Sequence, residues 1–375
     1  MPHLLLTFLT AFLVVLLATP SLIKVAFLKR LFDEPGDSRK LHKRVVPTIG
    51  GIMIFSASLF AFSLWFPYDQ PNPDLLHRWV RDFQHIVACL LILFFVGIKD
   101  DIIGTAPIKK LAAHIVVGLI LVLMAEVRIR SLHGLFGLQE IPLWASIFLS
   151  LFTYIVVVNA FNLIDGVDGL AAGVGLIGAL AFGTLFMLGN DLLMGMLGYA
   201  LAGALAAFLI FNFSPAKIFM GDSGSLSIGL IMAVLAIKFV EFVPAETSHP
   251  VIREIFTPVV AMSFLVYPLV DTLRIFIWRA MRGISPFSAD RNHLHHLMID
   301  SGMRHPVAVI WIYAASLSVI VMAAATRLYP MTISFVFTGG FAILLMLIPW
   351  LMKRAYLKRK ANEHKTRRLN PLEAA

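Results

Sequence analysis

The sequence predicts an all-α, polytopic integral membrane bundle of about eleven transmembrane helices, and three observations carry that reading. The chain of 375 residues is 59% hydrophobic and only 14% charged, with a mean hydropathy of +0.86, far from the composition of soluble globular domains. Apolar runs long enough to cross roughly 30 Å of hydrocarbon, at about 1.5 Å per residue, recur from end to end. Lysine and arginine collect in particular connections between those runs, as the positive-inside bias of membrane proteins leads one to expect.

Taken in order, the first run, 3–27, could be mistaken for a secretory signal. It is long, lacks a basic n-region and leads into a motif-rich segment, so it reads as a retained span. The second, 47–67, opens on the constrained turn Pro47-Thr-Ile-Gly-Gly51. The third, 84–99, is closed by Lys99-Asp-Asp101. Spans at 109–127 and 143–163 follow, the latter running into Asn159-Ala-Phe-Asn-Leu-Ile-Asp-Gly-Val-Asp-Gly169. Spans 170–188 and 192–211 are separated only by Gly189 to Asp191, and 224–240 follows Asn212-Phe-Ser-Pro-Ala-Lys-Ile-Phe-Met-Gly-Asp-Ser-Gly-Ser225. The runs 255–277, 307–326 and 332–352 complete the set. Little room remains for a soluble domain, so residues 1–352 read as one transmembrane domain and 353–375 as a basic cytoplasmic tail.

Orientation follows from the charges. The loop after the first span holds Lys29, Arg30, Arg39, Lys40, Lys43 and Arg44, and the tail holds Lys353, Arg354, Lys358, Arg359, Lys360, Lys365, Arg367 and Arg368. Both belong in the cytoplasm, and an odd span count then puts the N-terminus in the periplasm and the C-terminus in the cytoplasm. The net charge of +9 is mostly this topology signal. The tail suits anionic membrane lipid, and no basic and aromatic pattern suggests a nucleic acid. The lone Cys89 reads as packing, with no disulfide framework.

With that topology, alternate connections share a face. The outward ones, Tyr68 to Phe83, Arg128 to Pro142, Gly189 to Asp191, Glu241 to Glu254 and a turn near Tyr329, read as mostly short and chemically plain. The inward ones hold five polar clusters: Arg39 to Gly51, Lys99 to Asp101, Asn159 to Gly169, Asn212 to Ser225, and Asp290-Arg-Asn-His-Leu-His-His296. One composite site explains their sharing a face better than five unrelated turns do.

The adjacent Asp100 and Asp101 need a metal, a proton or a cationic partner at a bilayer boundary. With Asp165, Asp168 and Asp222, and with Asn159, Asn162 and Asn212, they form a hard-oxygen set that suits magnesium, or manganese, together with substrate phosphates. Gly166, Gly169, Gly221 and Gly224 allow close approach of backbone N–H groups to phosphate oxygens, or tight turns. His293, His295 and His296 suit phosphate or sugar better than zinc, since no cysteine joins them. Lys40, Lys43 and Arg44 are explained by the positive-inside bias alone, but the Pro47 turn would hold them in place. His114 reads as a hydrogen-bonded packing residue.

These residues, in this order, resemble the polyprenyl-phosphate N-acetylhexosamine-1-phosphate transferases, over nearly the whole chain from about residue 30 to 305. Within the family, the Asn159 and Asp290 segments look like the WecA-type branch, which transfers N-acetylglucosamine 1-phosphate from UDP-N-acetylglucosamine to undecaprenyl phosphate. The sister branch that transfers phospho-N-acetylmuramoyl-pentapeptide usually has a lysine shortly after the Asp-Asp pair. Here Ile102 and Ile103 follow it, and the nearest lysines are Lys109 and Lys110. The resemblance implies a magnesium-dependent transferase of the bacterial inner membrane, with its catalytic domain over 1–352 and its site on the cytoplasmic face. It implies an undecaprenyl phosphate acceptor, a UDP-sugar donor and the first membrane step of a cell-surface glycan such as O antigen, enterobacterial common antigen or teichoic acid. It is compatible with a homodimer.

Carried over residue by residue, the resemblance makes Asp222 the principal metal ligand, with Asp100 and Asp101 at the reacting phosphates. Asp165, Asp168, Asn159, Asn162, Asn212 and Phe219 fall to substrate binding, mostly on the uridine side. Lys43, Arg291, His293, His295 and His296 fall to the diphosphate or sugar. One Asp of the pair as proton acceptor or as covalent nucleophile, and another UDP-amino sugar or phospho-N-acetylmuramoyl-pentapeptide as donor moiety, stay open. An ion-coupled transporter would carry its carboxylates near mid-membrane in two matching repeats; here they sit at span ends and no repeat is visible.

Overall fold

The computed structural model of the chain describes residues 2–29, 31–33, 46–245, 248–283 and 293–369. Helix α1 (Pro2–Leu28) is followed by β1 (Phe32–Asp33), which pairs antiparallel with β2 (Val46–Pro47). Then come α2 (Gly51–Leu64), α3 (Pro73–Ile103) and α4 (Pro107–Leu119), the last continuing as a π-helical turn over Ile120–Met124. A small hairpin, β3 (Ser131–Leu135) with β4 (Leu138–Glu140), leads into α5 (Leu143–Ile164), α6 (Leu170–Leu188), α7 (Leu192–Asn212) and α8 (Gly221–Glu241). Short α9 (Pro250–Ile255), α10 (Pro258–Phe264), α11 (Val266–Ala280) and α12 (Leu294–Asp300) precede α13 (His305–Ala325) and α14 (Met331–Leu369). Among the described residues, 8 helices are long and apolar enough to cross a membrane, or up to 9 if α10 and α11 count as one bent span. The chain is thus a helical, multi-pass membrane protein.

Helix α8 is the axis of the bundle: 94% of its most apolar window is buried, and α2, α3, α5, α6, α7 and α10 all pack on it. The peripheral helices turn apolar side chains outward, as with Leu17, Phe148 and Val321; in hydrocarbon that costs nothing. Two tight crossings seat the start of α8. A side chain on Gly97 of α3 would lie 2.5 Å from the Ser223 Cα, and one on Gly51 would collide with the Gly224 backbone. Small residues at such positions let helices approach closely in a membrane.

Three elements depart from the expected spans. Helix α3 starts at Pro73, well before 84, because Asn72 Oδ1 accepts from the Asp74 and Leu75 N–H groups at 3.0 and 3.2 Å, and proline suits the first helical position. The expected 255–277 span is two helices bent by 86°. Pro268, in the first turn of α11, has no N–H for the carbonyl four residues back, and the helix breaks there. The third is the 128–142 connection, which is a hairpin and not a plain loop.

Candidate functional site

The motifs meet at the N-terminal end of α8, and much of their work is to hold one another. Phe219 N–H donates to the Pro47 carbonyl at 2.7 Å, while Gly50 and Gly51 donate to the Phe219 and Met220 carbonyls at 2.9 and 2.7 Å. The Pro-Thr-x-Gly-Gly turn is therefore bonded to the strand-like segment before the Gly-Asp-Ser-Gly tetrad. Gly221 has φ +71, a left-handed conformation that favours glycine, and its Cα faces the Thr48 carbonyl and the Asp101 carboxylate. That turn sets Asp222 in the first turn of α8.

Asp101 spends both oxygens on this turn. Oδ1 accepts the Asp222 N–H at 2.6 Å and Oδ2 the Ser223 N–H at 3.0 Å, so a carboxylate from α3 caps α8 where the helix dipole favours negative charge. Asp101, expected with Asp100 at the reacting phosphates, thus holds the backbone on which Asp222 stands. Asp100 looks the other way. Its Oδ2 meets Lys110 Nζ at 3.1 Å, and the same ammonium is paired with Asp222 Oδ2. Asp222 Oδ1 accepts from Asn162 Nδ2 at 2.9 Å, and that amide also donates to Ser225 Oγ at 2.9 Å. Lys110 was passed over in the sequence because it stands ten residues beyond the Asp pair. The short connection between α3 and α4 brings it back.

A cavity of about 550 Å³ opens beside this cluster. Of the residues singled out in the sequence, Asn159, Asn162, Asp165, Asp222, His293, His295 and His296 line it, joined by Lys110, His114, Thr272 and Arg279, with an apolar wall of Pro107, Leu111, Ile155, Val156 and Phe276. Asp165 takes the Gly221 N–H, and desolvation together with the Asp222 and Asp101 carboxylates holds its carboxyl well above the ordinary range. Such a locus needs a proton or a cation. Asn159 donates to the Ile155 carbonyl at 2.8 Å, which leaves its side-chain oxygen available.

The histidines are set by residues the sequence reading did not name. Asp271 is fully buried on α11, and its Oδ2 accepts from His293 Nδ1 at 2.7 Å while Oδ1 accepts from the Leu294 N–H at 2.9 Å and Arg274 at 3.2 Å. That bond fixes the tautomer of His293 and frees Nε2. His295 Nδ1 is 3.2 Å from the Tyr267 hydroxyl, and its Nε2 has no partner among the described residues. Burial pushes the His295 pKa down to about 3, so the ring is neutral. A lone acid in an apolar span is the signal that marks Asp271. His114, expected to be hydrogen-bonded, is 1% exposed yet has no partner on either ring nitrogen among the described residues.

Other expected residues serve the loops around the cavity. Asn212 accepts the Gly169 N–H at 3.0 Å and donates to the Ile218 carbonyl at 2.9 Å, and Asp168 Oδ2 accepts the Ala216 N–H at 3.0 Å. Neither they nor Phe219, all expected at the substrate, line the cavity. Lys43 and Arg291, with Lys40, Arg44 and Asp290, lie outside the described residues.

Residues 83–240 match the pattern of glycosyl transferase family 4. Over 311 residues the chain is 32% identical to a decaprenyl-phosphate N-acetylglucosaminephosphotransferase of Mycolicibacterium smegmatis, covering 78% of this chain and 74% of that one. The chain belongs to this family. It is also 30% identical over 298 residues to an undecaprenyl-phosphate alpha-N-acetylglucosaminyl 1-phosphate transferase of Salmonella typhi, with 78% and 76% of the two chains covered. With the enzyme of the same name from Escherichia coli O157:H7 the figures are 28% over 354 residues, 92% and 90%. The family match spans α3 to α8, the helices that carry Asp100, Asp101, Lys110, Asn162, Asp165 and Asp222.

Proposed function

We propose that the protein transfers N-acetylglucosamine 1-phosphate from UDP-N-acetylglucosamine to undecaprenyl phosphate at the cytoplasmic face of a bacterial inner membrane. The observation that carries this reading is the convergence of Asp222 and Lys110 with His293, His295 and His296 on one cavity that also has an apolar wall, with Asp100 paired to Lys110 behind them. A soluble nucleotide sugar needs the polar side, and a polyprenyl phosphate needs a path from hydrocarbon. Relatives named for this reaction support the substrate pair. Counting α2, α3 and the bent pair with the eight long helices gives eleven spans, and the basic segments around residue 40 and after 353 favour a cytoplasmic site.

An oxygen of the acceptor phosphate attacks the β-phosphorus of the donor, the bond from that phosphorus to the bridging oxygen breaks, and UMP leaves. A phosphate monoester is already nucleophilic near neutral pH, so the protein supplies positioning and charge neutralisation. Asp100 and Asp222 fit a divalent cation: two carboxylates already converge on one ammonium, and Asp165 beside them has no cationic partner among the described residues. Magnesium bound there would supply charge stabilisation to the phosphate oxygens. Lys110 donates to a non-bridging oxygen once substrate competes for it. His293 Nε2 and neutral His295 Nε2 donate or accept at the diphosphate and sugar, held by Asp271 and Tyr267.

The test is a panel of UDP-sugars with purified protein and undecaprenyl phosphate, with and without magnesium, reading UMP. Magnesium-dependent UMP release with UDP-N-acetylglucosamine is expected. Its absence with every UDP-sugar would sink the reading, and release with a different sugar would correct the donor.

A further inference from the structure

A cavity of about 620 Å³ lies at the other end of the bundle. Asp82 and Asp100 are 18 residues apart on α3 and Asp222 and Lys238 are 16 apart on α8, which at about 1.5 Å per residue separates the two polar ends by roughly 25 Å. This end is not plain, as its connections had suggested. Arg78, Arg81, Arg128 and Arg130 line the cavity with Lys238, against Asp82, Asp191, Glu126 and Glu241.

The acids are already engaged. Asp82 Oδ2 accepts from Lys238 at 2.5 Å, Asp191 caps α7 through the Met194 N–H at 3.1 Å, Glu126 pairs with Arg130 at 3.0 Å, and Glu241 accepts the Arg130 and Ser131 N–H groups at 2.7 and 3.3 Å. Among the described residues the side chains of Arg78 and Arg128 have no acceptor, and Arg81 reaches Asp82 only at 3.9 Å, beyond hydrogen-bond range. The Nε atoms of Arg81 and Arg128 are buried without a partner. Buried donors in native proteins are satisfied by something. Arg128 also lies on a second cavity of about 470 Å³ that shares Arg130, Glu241 and Val243 with the first, so the residue lines both volumes.

What remains after internal pairing is therefore guanidinium donor capacity, whose planar fork matches an oxyanion bidentately. Beside it runs an apolar wall of Leu75, Trp79, Ile237, Phe242 and Val243, with Val243 82% exposed. We propose that this far-end cavity is a second ligand site, which binds a phosphoryl oxyanion between Arg78 and Arg128. The apolar wall favours a phospholipid headgroup over a free anion as its source, because glycerol and the upper acyl chain then cover the exposed Val243 and the half-buried Phe242. The site is independent of the transfer reaction.

The experiment uses the full chain in detergent, titrated with phosphatidylglycerol and separately with inorganic phosphate, and read by native mass spectrometry and by thermal shift. The proteins are the unaltered chain, Arg78→Gln, Arg78→Gln with Arg128→Gln, and Arg282→Gln as a control, since Arg282 stacks on Trp278 elsewhere. A saturable lipid adduct is expected, weakened about tenfold or more in the double variant by loss of charge-assisted bonds and unchanged in the control. Arg78→Gln alone keeps the test sound if the double variant is poorly folded, because Arg78 is exposed and has no acceptor among the described residues. Arginine-dependent stabilisation by inorganic phosphate without a lipid adduct supports the phosphoryl site and makes the free anion its occupant. Equal lipid retention in all four proteins, with no phosphate-dependent shift, overturns the proposal.

Discussion

At one end of the α3 and α8 pair Lys110 lies between Asp100 and Asp222, with Asp101 and Asp165 close behind. At the other end Lys238 faces Asp82 at 2.5 Å, with four arginines around them. Both ends anchor the same two helices with an Asp–Lys contact in a partly desolvated place. The difference lies in the remainder. Among the described residues, the acids outnumber the cation at the first end, so the cluster there calls for further positive charge; at the second the cations outnumber the free acids. Buried ion pairs add little net stability, so the surplus charge at each end is the more informative quantity.

The sharpest way to break the comparison is to neutralise one Asp at each end. Asp222→Asn should lower transfer by about a thousandfold or more, the scale for removing a group that stabilises charge in the transition state, with the helix start intact because Asp101 binds backbone there. UMP release together with thermal unfolding in detergent separates the two readouts. Asp101→Asn should also cost activity, by about a hundredfold, but with a loss of roughly 1–3 kcal/mol in stability, since one buried acceptor for the α8 N–H groups is weakened. An Asp101 variant as inactive as the Asp222 one but fully stable would restore Asp101 to the chemistry.

Asp271→Asn tests the second arm of the site. It keeps a hydrogen bond to His293 but no longer enforces the tautomer, and loss of such an orienting partner costs about 10–100-fold. The expected signature is a fall in kcat with a smaller change in the KM for the UDP-sugar. At the far end, Asp82→Ala should leave transfer unchanged and cost about 1–3 kcal/mol, because a partly buried Lys238 loses its partner. A fall in activity there would mean that the two ends are coupled through α3 and α8.

Most of the bundle was legible because hydrophobic runs report helices directly: the expected spans 143–163, 170–188 and 192–211 coincide with α5, α6 and α7 within a residue or so. The helix start at Pro73 was carried by Asn72, a local capping signal that hydropathy does not weigh. The break at Leu265 was written in Pro268. The Asp and His clusters were legible as a set, but their division of labour was not. Whether Asp101 faces a substrate or the α8 backbone is decided by helix crossings at Gly97 and Gly51, which no spacing encodes. Lys110, one of an adjacent lysine pair, and Asp271, the one acid in its apolar run, acquire their meaning only from Asp222 and His293, which lie far from them in the chain.

The smallest effect belongs to Asp191, at the far end. Desolvation, the principal cause, and the neighbouring Asp82 carboxylate raise its pKa from the ordinary carboxylate value to about 6, against the Met194 and Leu193 N–H groups and the Lys238 ammonium, which lower it. In the unfolded chain the same carboxyl titrates near 4. The folded state thus binds the extra proton between those two values, and stability contributed by this group is present at acid pH and is lost as pH rises toward and past about 6. Asp191→Asn keeps a side-chain acceptor for the α7 cap, so it should flatten the pH dependence of the unfolding temperature between pH 4 and 7 without changing the fold. If the slope survives the substitution, the titration belongs to the acid cluster at the opposite end, and the two ends differ less in their surplus charge than their contacts imply.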